Sequence, residues 1–184
     1  MMRLHRGDLS AEDVRRLLQL EPHATCGFVR LTFVSKEVLP MGGLPPPFDA
    51  ERPLGSALYF MVTPSAPVRL HRIRNDQLYH YYLGAPLEVF LLHSTGEAER
   101  VIVGPDLRRG ERVQLLIPEG TFHTARVMGH GGPQRWFLGA STEWPGVVPA
   151  DVEIGNLDEL TGKYPSVARE LRAIAAVSGG EPSR

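Results

Sequence analysis

Two histidines far apart in the chain are the side chains best suited to chemistry. His71 lies in LHRIRNDQLYHYYLG, residues 70–84, and His123 closes IPEGTFH, residues 117–123. Pro118 and Gly120 predict a turn that places His123 at the start of a strand. If neighbouring strands bring the two imidazoles together, they begin a metal site, which usually has three or four protein ligands.

The residues around His71 add possible ligands and possible proton donors. Because side chains alternate between the two faces of a strand, Gln77, Tyr79 and Tyr81 share one face, and His80 lies on the other. Gln77 can bind a metal through its carbonyl oxygen. His80 joins the same site only if a bulge or strand twist turns it inward.

The tyrosines also predict a pocket for a small polar molecule. Tyr79 and Tyr81 bring hydroxyl groups close to the histidines, and such a pair can exchange protons with a substrate when their pKa values are tuned. Aromatic side chains in a β-barrel more often form the core, so this alternative stays open. Further candidates for the pocket wall are Tyr59, Arg69, Phe90, Gln114 and Trp136.

Composition narrows the class of protein. The formal net charge is −1 and the basic residues are scattered, so we expect neither a nucleic acid nor a membrane as partner. No apolar run is long enough to span a membrane, and the N-terminus lacks a signal-peptide pattern, which makes the cytoplasm the default compartment. The lone cysteine, Cys26, is interpreted as a small buried residue near a strand start.

The elements that position these residues are mostly strands. A first helix is capped by Ser10 and ended by Pro22, and short helices are predicted over 156–165 and 165–177. Between them, nine short runs rich in β-branched and aromatic residues predict a sandwich or barrel. The predicted strands are 27–34, 56–63, 68–73, 77–83, 87–93, 99–103, 112–117, 122–128 and 134–141.

We expect one domain over residues 1–184, with a barrel core at about 27–143 and a helical segment at about 151–177. The proline- and glycine-rich segment 41–53 is long for a connection in a compact domain. It is therefore interpreted as a lid or a mobile excursion.

Two motifs resemble those of the cupin superfamily. The first family motif has a histidine, a second histidine two residues later, a glutamate and a terminal glycine, and these positions fall on His71, Ile73, Gln77 and Gly84. The second falls on Pro118, Gly120 and His123. The phrases GPDLRRGERVQLLIPEG, YHYYLGAPLEVFLL and SALYFMVT look like the branch of small single-domain cupins long labelled a domain of unknown function.

The resemblance implies an all-β fold, a double-stranded β-helix or jelly-roll barrel with a short N-terminal helix and C-terminal helices. It also implies a homodimer and a ligand inside the barrel. A divalent metal ion (Fe, Mn, Ni or Zn) would be held by His71, Gln77 and His123, and His80 would replace the missing histidine if it turns inward. Two departures weaken that ligand set, because Ile73 replaces a histidine and Gln77 replaces the glutamate.

Three functions remain open. The first is a small-molecule enzyme of the cupin type, with oxygenase, lyase or isomerase/epimerase chemistry. Its catalytic residues would be His71, His123, Tyr79 and Tyr81, with a metal or with histidine and tyrosine as base and acid. The second is a non-catalytic cupin that binds or senses a small ligand. The third is a structural or partner-binding protein whose barrel is filled by side chains.

Overall fold

Two antiparallel sheets enclose the main hydrophobic core of the computed structural model, which describes residues 9–129 and 135–178. The strand order is β1-β2-β5-β12-β7-β10 in the first sheet and β13-β6-β11-β8-β9 in the second, with a separate β3-β4 hairpin. The strands are Glu21–Pro22 (β1), Phe28–Val34 (β2), Val38–Leu39 (β3), Arg52–Pro53 (β4), Ser56–Val62 (β5), Val68–Ile73 (β6), Asp76–Gly84 (β7), Leu87–Leu92 (β8), Ala98–Val103 (β9), Gln114–Ile117 (β10), Phe122–Val127 (β11), Phe137–Trp144 (β12) and Val152–Ile154 (β13).

Both sheets contribute alternate residues to the space between them. Phe60, Tyr79 and Phe137 come from the six-stranded sheet, and Val89 and Val103 come from the five-stranded sheet. All five are at most 1% exposed. Alternation along the strands therefore points one face of each sheet into a shared interior.

The first helix, α1, spans Ala11–Leu18 and covers part of the outer face of the six-stranded sheet. Ser10 caps it as predicted, and Asp13 completes a capping box. The prediction that Pro22 ends this helix was wrong. Gln19 adopts a left-handed conformation with φ of 55° and ends the helix earlier, because its N–H bonds back to the Arg15 carbonyl.

Two C-terminal helices, α2 (Leu157–Lys163) and α3 (Ala168–Ser178), pack on the outer face of the five-stranded sheet. The second predicted helix starts as a 3-10 turn at Pro165–Val167 and continues into α3. No helix within the described residues is long and apolar enough to cross a membrane.

Segment 41–53, predicted to be a lid or a mobile excursion, is anchored at its end. Arg52 is buried and donates from Nη1 to Asp151 at 2.8 Å, and the Phe48 ring lies 4.4 Å from its guanidinium carbon. Strand β4 pairs with β3 on the other side of the segment. These contacts fix residues 48–53 against the 3-10 turn at Pro149–Asp151.

Candidate functional site

His71 and His123 meet inside the barrel. They are paired residues on the neighbouring strands β6 and β11, and their ring centroids lie 4.3 Å apart. His71 is 2% exposed and His123 is 0% exposed. A bulge in β6 sets the direction of the His71 side chain, because two residues of β6 face one of β11 between the pairs His71–His123 and Val68–Ala125.

Backbone carbonyls orient both imidazoles. Nδ1 of His71 lies 2.7 Å from the Arg69 carbonyl oxygen, and Nδ1 of His123 lies 3.2 Å from the Thr121 carbonyl oxygen. A carbonyl can only accept, so in each neutral ring Nδ1 carries the hydrogen and Nε2 carries the lone pair.

Tyr79 reaches His123 from the opposite sheet. It lies on β7 and is 1% exposed, and its hydroxyl lies 3.1 Å from Nε2 of His123. Since Nε2 carries the lone pair, the tyrosine hydroxyl donates this hydrogen bond. Cys26 packs against the same core cluster as Tyr79.

Burial holds the three groups in their neutral forms. Desolvation lowers the pKa of His71 to about 4, and it lowers the pKa of His123 well below the ordinary value, with the neighbouring His71 adding to the effect. Desolvation also raises the pKa of Tyr79 well above that of a free tyrosine. At neutral pH the site is therefore an uncharged arrangement of two imidazoles and a phenol.

Gln77 and Glu143 form a second polar pair on the same inner face. They are directly opposed on β7 and β12, and they are 5% and 3% exposed. Glu143 accepts hydrogen bonds from Ser56 at 2.7 Å and from Ser141, and desolvation raises its pKa. Oε1 of Gln77 has no hydrogen-bond partner among the described residues.

Glu143 was missed as a residue of this inner face when only the sequence was considered. The predicted strand ended at residue 141, whereas β12 continues to Trp144, so the inward position of Glu143 was not considered. The available signal was that side chains two positions apart share a strand face, so Glu143 lies on the same face as Ser141.

The structure does not bring His80 to the other two histidines. Its Nε2 lies 3.1 Å from the Thr142 hydroxyl and its Nδ1 lies 3.3 Å from the Gln114 amide nitrogen, on the outer face of the six-stranded sheet. The expectation that His80 could be a ligand is corrected here, because β7 follows plain alternation at this position. Gln114 contacts His80 on this outer face, so it does not line an inner pocket as predicted.

Four further pocket candidates also lie away from the histidines. Tyr59 and Trp136 pack in the cluster around α1, and Phe90 packs in the cluster beneath the C-terminal helices. Arg69 is exposed and donates to the Ala24 carbonyl. Tyr81 does lie against the inner core, but its hydroxyl donates to the Gly84 carbonyl at 2.7 Å.

The residues present do not fit the predicted metal centre. Within residues 9–129 and 135–178, no group of three His, Cys, Asp or Glu side chains could hold a metal ion. The lone pair on Nε2 of His123 already accepts from Tyr79, and Ile73 stands where a further histidine would be needed. Gln77, the remaining predicted ligand on the inner face, could add only a neutral amide oxygen, so the two imidazoles lack the third histidine or carboxylate that catalytic sites usually provide.

Several solved structures are similar to this chain. A hypothetical protein from Leishmania major is 25% identical with a TM-score of 0.75, covering 91% of this chain and 98% of that one. A protein from Shewanella oneidensis is 25% identical with a TM-score of 0.76, covering 90% and 97%. A variant of Bacillus subtilis oxalate decarboxylase is 15% identical with a TM-score of 0.51, covering 77% of this chain and 32% of that one, which shows a shared fold alone.

No curated protein matches this chain. The family model described as Cupin superfamily (DUF985) matches residues 12–155. This match and the shared fold confirm the predicted jelly-roll barrel with its terminal helices. The chain belongs to the DUF985 family of the cupin superfamily.

Proposed function

We propose that this protein is a small-molecule enzyme that moves protons inside the barrel without a metal, in an isomerase, epimerase or lyase reaction. The observation that carries the proposal is the hydrogen bond of 3.1 Å between the Tyr79 hydroxyl and Nε2 of His123. A phenol and an imidazole in contact are an acid and a base, the two groups that such reactions need.

The two residues have distinct roles in this proposal. When the Tyr79 hydroxyl turns from His123 to an oxygen of the substrate, Nε2 of His123 is free to accept a proton from the adjacent carbon. Tyr79 then stabilises the negative charge that develops on that oxygen. Because the pKa of His123 is lowered, its imidazolium returns the proton readily, to the same carbon or to a different one.

Neighbouring groups support these roles. The Thr121 carbonyl keeps the hydrogen of His123 on Nδ1, so that Nε2 stays the basic atom. Gln77 and Glu143 lie on the same inner face as Tyr79 and present amide and carboxyl oxygens to a polar substrate. Because the two imidazoles and the phenol are uncharged, they favour a neutral, hydroxyl- or carbonyl-bearing group at the reacting end of the metabolite.

The experiment is a deuterium-incorporation screen. A bacterial metabolite extract in D₂O is incubated with the protein and a chelator, and mass spectrometry records compounds that gain deuterium or change isomer. We expect one class of compounds to change with the wild type and with His80→Asn, which alters only the outer face. The same compounds should stay unchanged with His123→Asn and with Tyr79→Phe. An extract that the wild type leaves unaltered, or a change that His123→Asn retains, would overturn the proposal.

A second candidate is a non-catalytic cupin that binds a small ligand. The near-complete burial of His71, Tyr79 and His123 favours it, because groups sealed from solvent suit retention of a ligand better than turnover. In the same extract this candidate predicts a compound that co-purifies with the wild type in unmodified form, is lost from Tyr79→Phe and gains no deuterium.

A further inference from the structure

Polar side chains stand in two neighbouring pairs on the inner face of β7 and β12. Gln77 is paired with Glu143, and two residues further along β7, Tyr79 is paired with Ser141. All four residues are at most 5% exposed. Because side chains two positions apart share a strand face, Gln77 and Glu143 face the same interior as Tyr79. This interior therefore has a second polar region, one step along the strands from the reacting pair.

Glu143 is a buried carboxyl group that has no cation beside it. Its oxygens accept hydrogen bonds from the hydroxyls of Ser56 and Ser141. Within residues 9–129 and 135–178, no lysine, arginine or histidine forms an ion pair with it. Desolvation raises the pKa of Glu143, and a cation next to the carboxyl would act in the opposite direction. A buried carboxylate is normally paired with a positive charge, so this one can take its cation from a bound molecule.

The side-chain oxygen of Gln77 lies next to this carboxyl group and also lacks a partner. Oε1 of Gln77 is buried and has no hydrogen-bond donor among the described residues. Residues directly opposed on antiparallel strands have their Cβ atoms about 5 Å apart, which places the amide beside the Glu143 carboxyl. An amide oxygen and an ionised carboxylate are both acceptors, so neither satisfies the other. The two side chains together need a group that brings several donors and a positive charge.

We propose that Gln77 and Glu143 bind a primary ammonium group, which makes the substrate an amine-bearing small metabolite. The inference rests on the proposed function and names the class of its substrate. An ammonium group has three N–H donors and a positive charge, and its hydrogen bonds to a carboxylate are stronger than those between neutral groups. An inorganic cation fits less well, because Mg²⁺ and Ca²⁺ need about six or more oxygen ligands, and these two side chains supply fewer.

The amine and the reacting carbon belong to different ends of the same molecule. Gln77 and Tyr79 leave β7 about 7 Å apart, since a strand rises about 3.3 Å for each residue. With the ammonium group bound by Gln77 and Glu143, a metabolite of monosaccharide size reaches the Tyr79–His123 pair with its oxygen-bearing end. Gln77 and Glu143 thereby orient and select the substrate, and they do not exchange protons with the reacting carbon.

The test measures binding of defined amines to the whole protein by NMR, with the side-chain amide of Gln77 as the reporter. Methylammonium, ethanolamine and glucosamine are each compared with the hydroxyl counterpart, which is methanol, ethylene glycol or glucose. We expect at least one amine to move the Gln77 amide signal until it saturates, while its counterpart leaves the signal in place. Sodium chloride and magnesium chloride at the same ionic strength should leave it in place as well.

Three variants separate the effect of charge from that of packing. Glu143→Gln should weaken amine binding at least about tenfold, because it removes a charge-assisted hydrogen bond. Glu97→Gln makes the same change at an exposed position and should keep the wild-type affinity. The double variant Gln77→Glu with Glu143→Gln exchanges the two side chains, so it should bind the amine more tightly than Glu143→Gln alone. Urea unfolding checks that each variant is folded.

Failure of all three amines to move the signal would overturn this inference. So would amine binding that Glu143→Gln retains, or a response to a hydroxyl counterpart or to Mg²⁺ as large as that to the amines. Because binding needs no turnover, these outcomes are independent of the deuterium screen. A neutral compound that gains deuterium while no amine binds would keep the proposed function and remove the amine. Amine binding without any deuterium gain would keep the ammonium site in a protein that only binds its ligand.

Discussion

Tyr79 and His123 are joined by one hydrogen bond of 3.1 Å that connects the two sheets across the barrel interior. Tyr79 comes from β7 of the six-stranded sheet and His123 from β11 of the five-stranded sheet. Both side chains are buried among apolar residues, so each satisfies the other's hydrogen-bonding group where water cannot. This polar contact therefore contributes both to the stability of the barrel and to its proposed chemistry.

Replacing Tyr79 with phenylalanine should destabilise the protein by about 1–3 kcal/mol, because Nε2 of His123 is left buried without a donor. Urea unfolding measures the effect. Tyr82→Phe is the matched control, since Tyr82 is 46% exposed and the same change there should have little effect. Equal stability of Tyr79→Phe and the wild type would contradict the hydrogen bond.

The free energy of unfolding should fall as the pH falls from about 6.5 to about 4. Below its ordinary pKa a histidine binds a proton in the unfolded chain, whereas His71 stays neutral in the fold until its own pKa of about 4. His71 alone then accounts for a loss of about 3 kcal/mol over this range, and His123 acts in the same direction.

Comparing variants isolates this effect. His71→Asn and His71→Leu should each show a shallower loss of stability with acid than the wild type, measured by urea unfolding at several pH values. Two substitutions of different polarity guard against one of them failing to fold. Parallel pH profiles for wild type and both variants would disprove the assignment.

Protein purified without added metal should contain less than about a tenth of an equivalent of any divalent ion, because the described residues hold no group of three His, Cys, Asp or Glu side chains that could bind one. Elemental analysis measures this. Adding Zn²⁺, Ni²⁺ or Mn²⁺ should not raise the melting temperature of wild type more than that of His123→Ala. A full equivalent of metal that is lost in His123→Ala would show that the site is a metal centre.

Breaking the buried ion pair of Arg52 and Asp151 should lower the free energy of unfolding more than breaking any other ion pair among the described residues. Its side chains are at most 1% exposed, and Asp151 also accepts from the Val148 amide. Arg52→Met should destabilise the protein by about 3–5 kcal/mol, since it leaves a buried carboxylate without a cation. Chemical denaturation measures this loss.

A matched control exists on the surface. Arg72 bonds Glu153 at 2.7 Å, with side chains 40% and 54% exposed, and Arg72→Met should cost less than about 1 kcal/mol. If the two methionine variants lose similar stability, burial is not what gives the Arg52 pair its importance.

Much of the fold was predictable from local pattern. Strand 68–73 was predicted with the bounds that the structure has, and the strands around it differ by one to three residues. The two-residue strands β1, β3 and β4 were not predicted, because strands of this length carry no alternation to recognise.

The site was less predictable. Strand alternation predicted that Tyr79 and His80 face opposite sides of the sheet, as they do. The two cupin motifs predicted that His71 and His123 lie close together, and these residues are paired on neighbouring strands. The inner positions of Glu143 and Cys26 depend on where β12 ends and on how residues 23–26 attach to β6, which are contacts between distant parts of the chain. Aromatic residues line both faces of these sheets, and the structure places the predicted pocket residues Phe90 and Trp136 in clusters outside the inner core.

The bulge in β6 has a consequence for how the site can change by mutation. Its extra residue takes the Arg69 carbonyl out of regular strand pairing, and that carbonyl accepts from Nδ1 of His71. Thr121 precedes β11, and its carbonyl does the same for His123. The tautomers of both imidazoles are thus specified by interruptions in sheet pairing, so side-chain substitutions at positions 69 and 121 should leave them intact. A change in the number of residues at either place, by contrast, should reset the proton positions of the site.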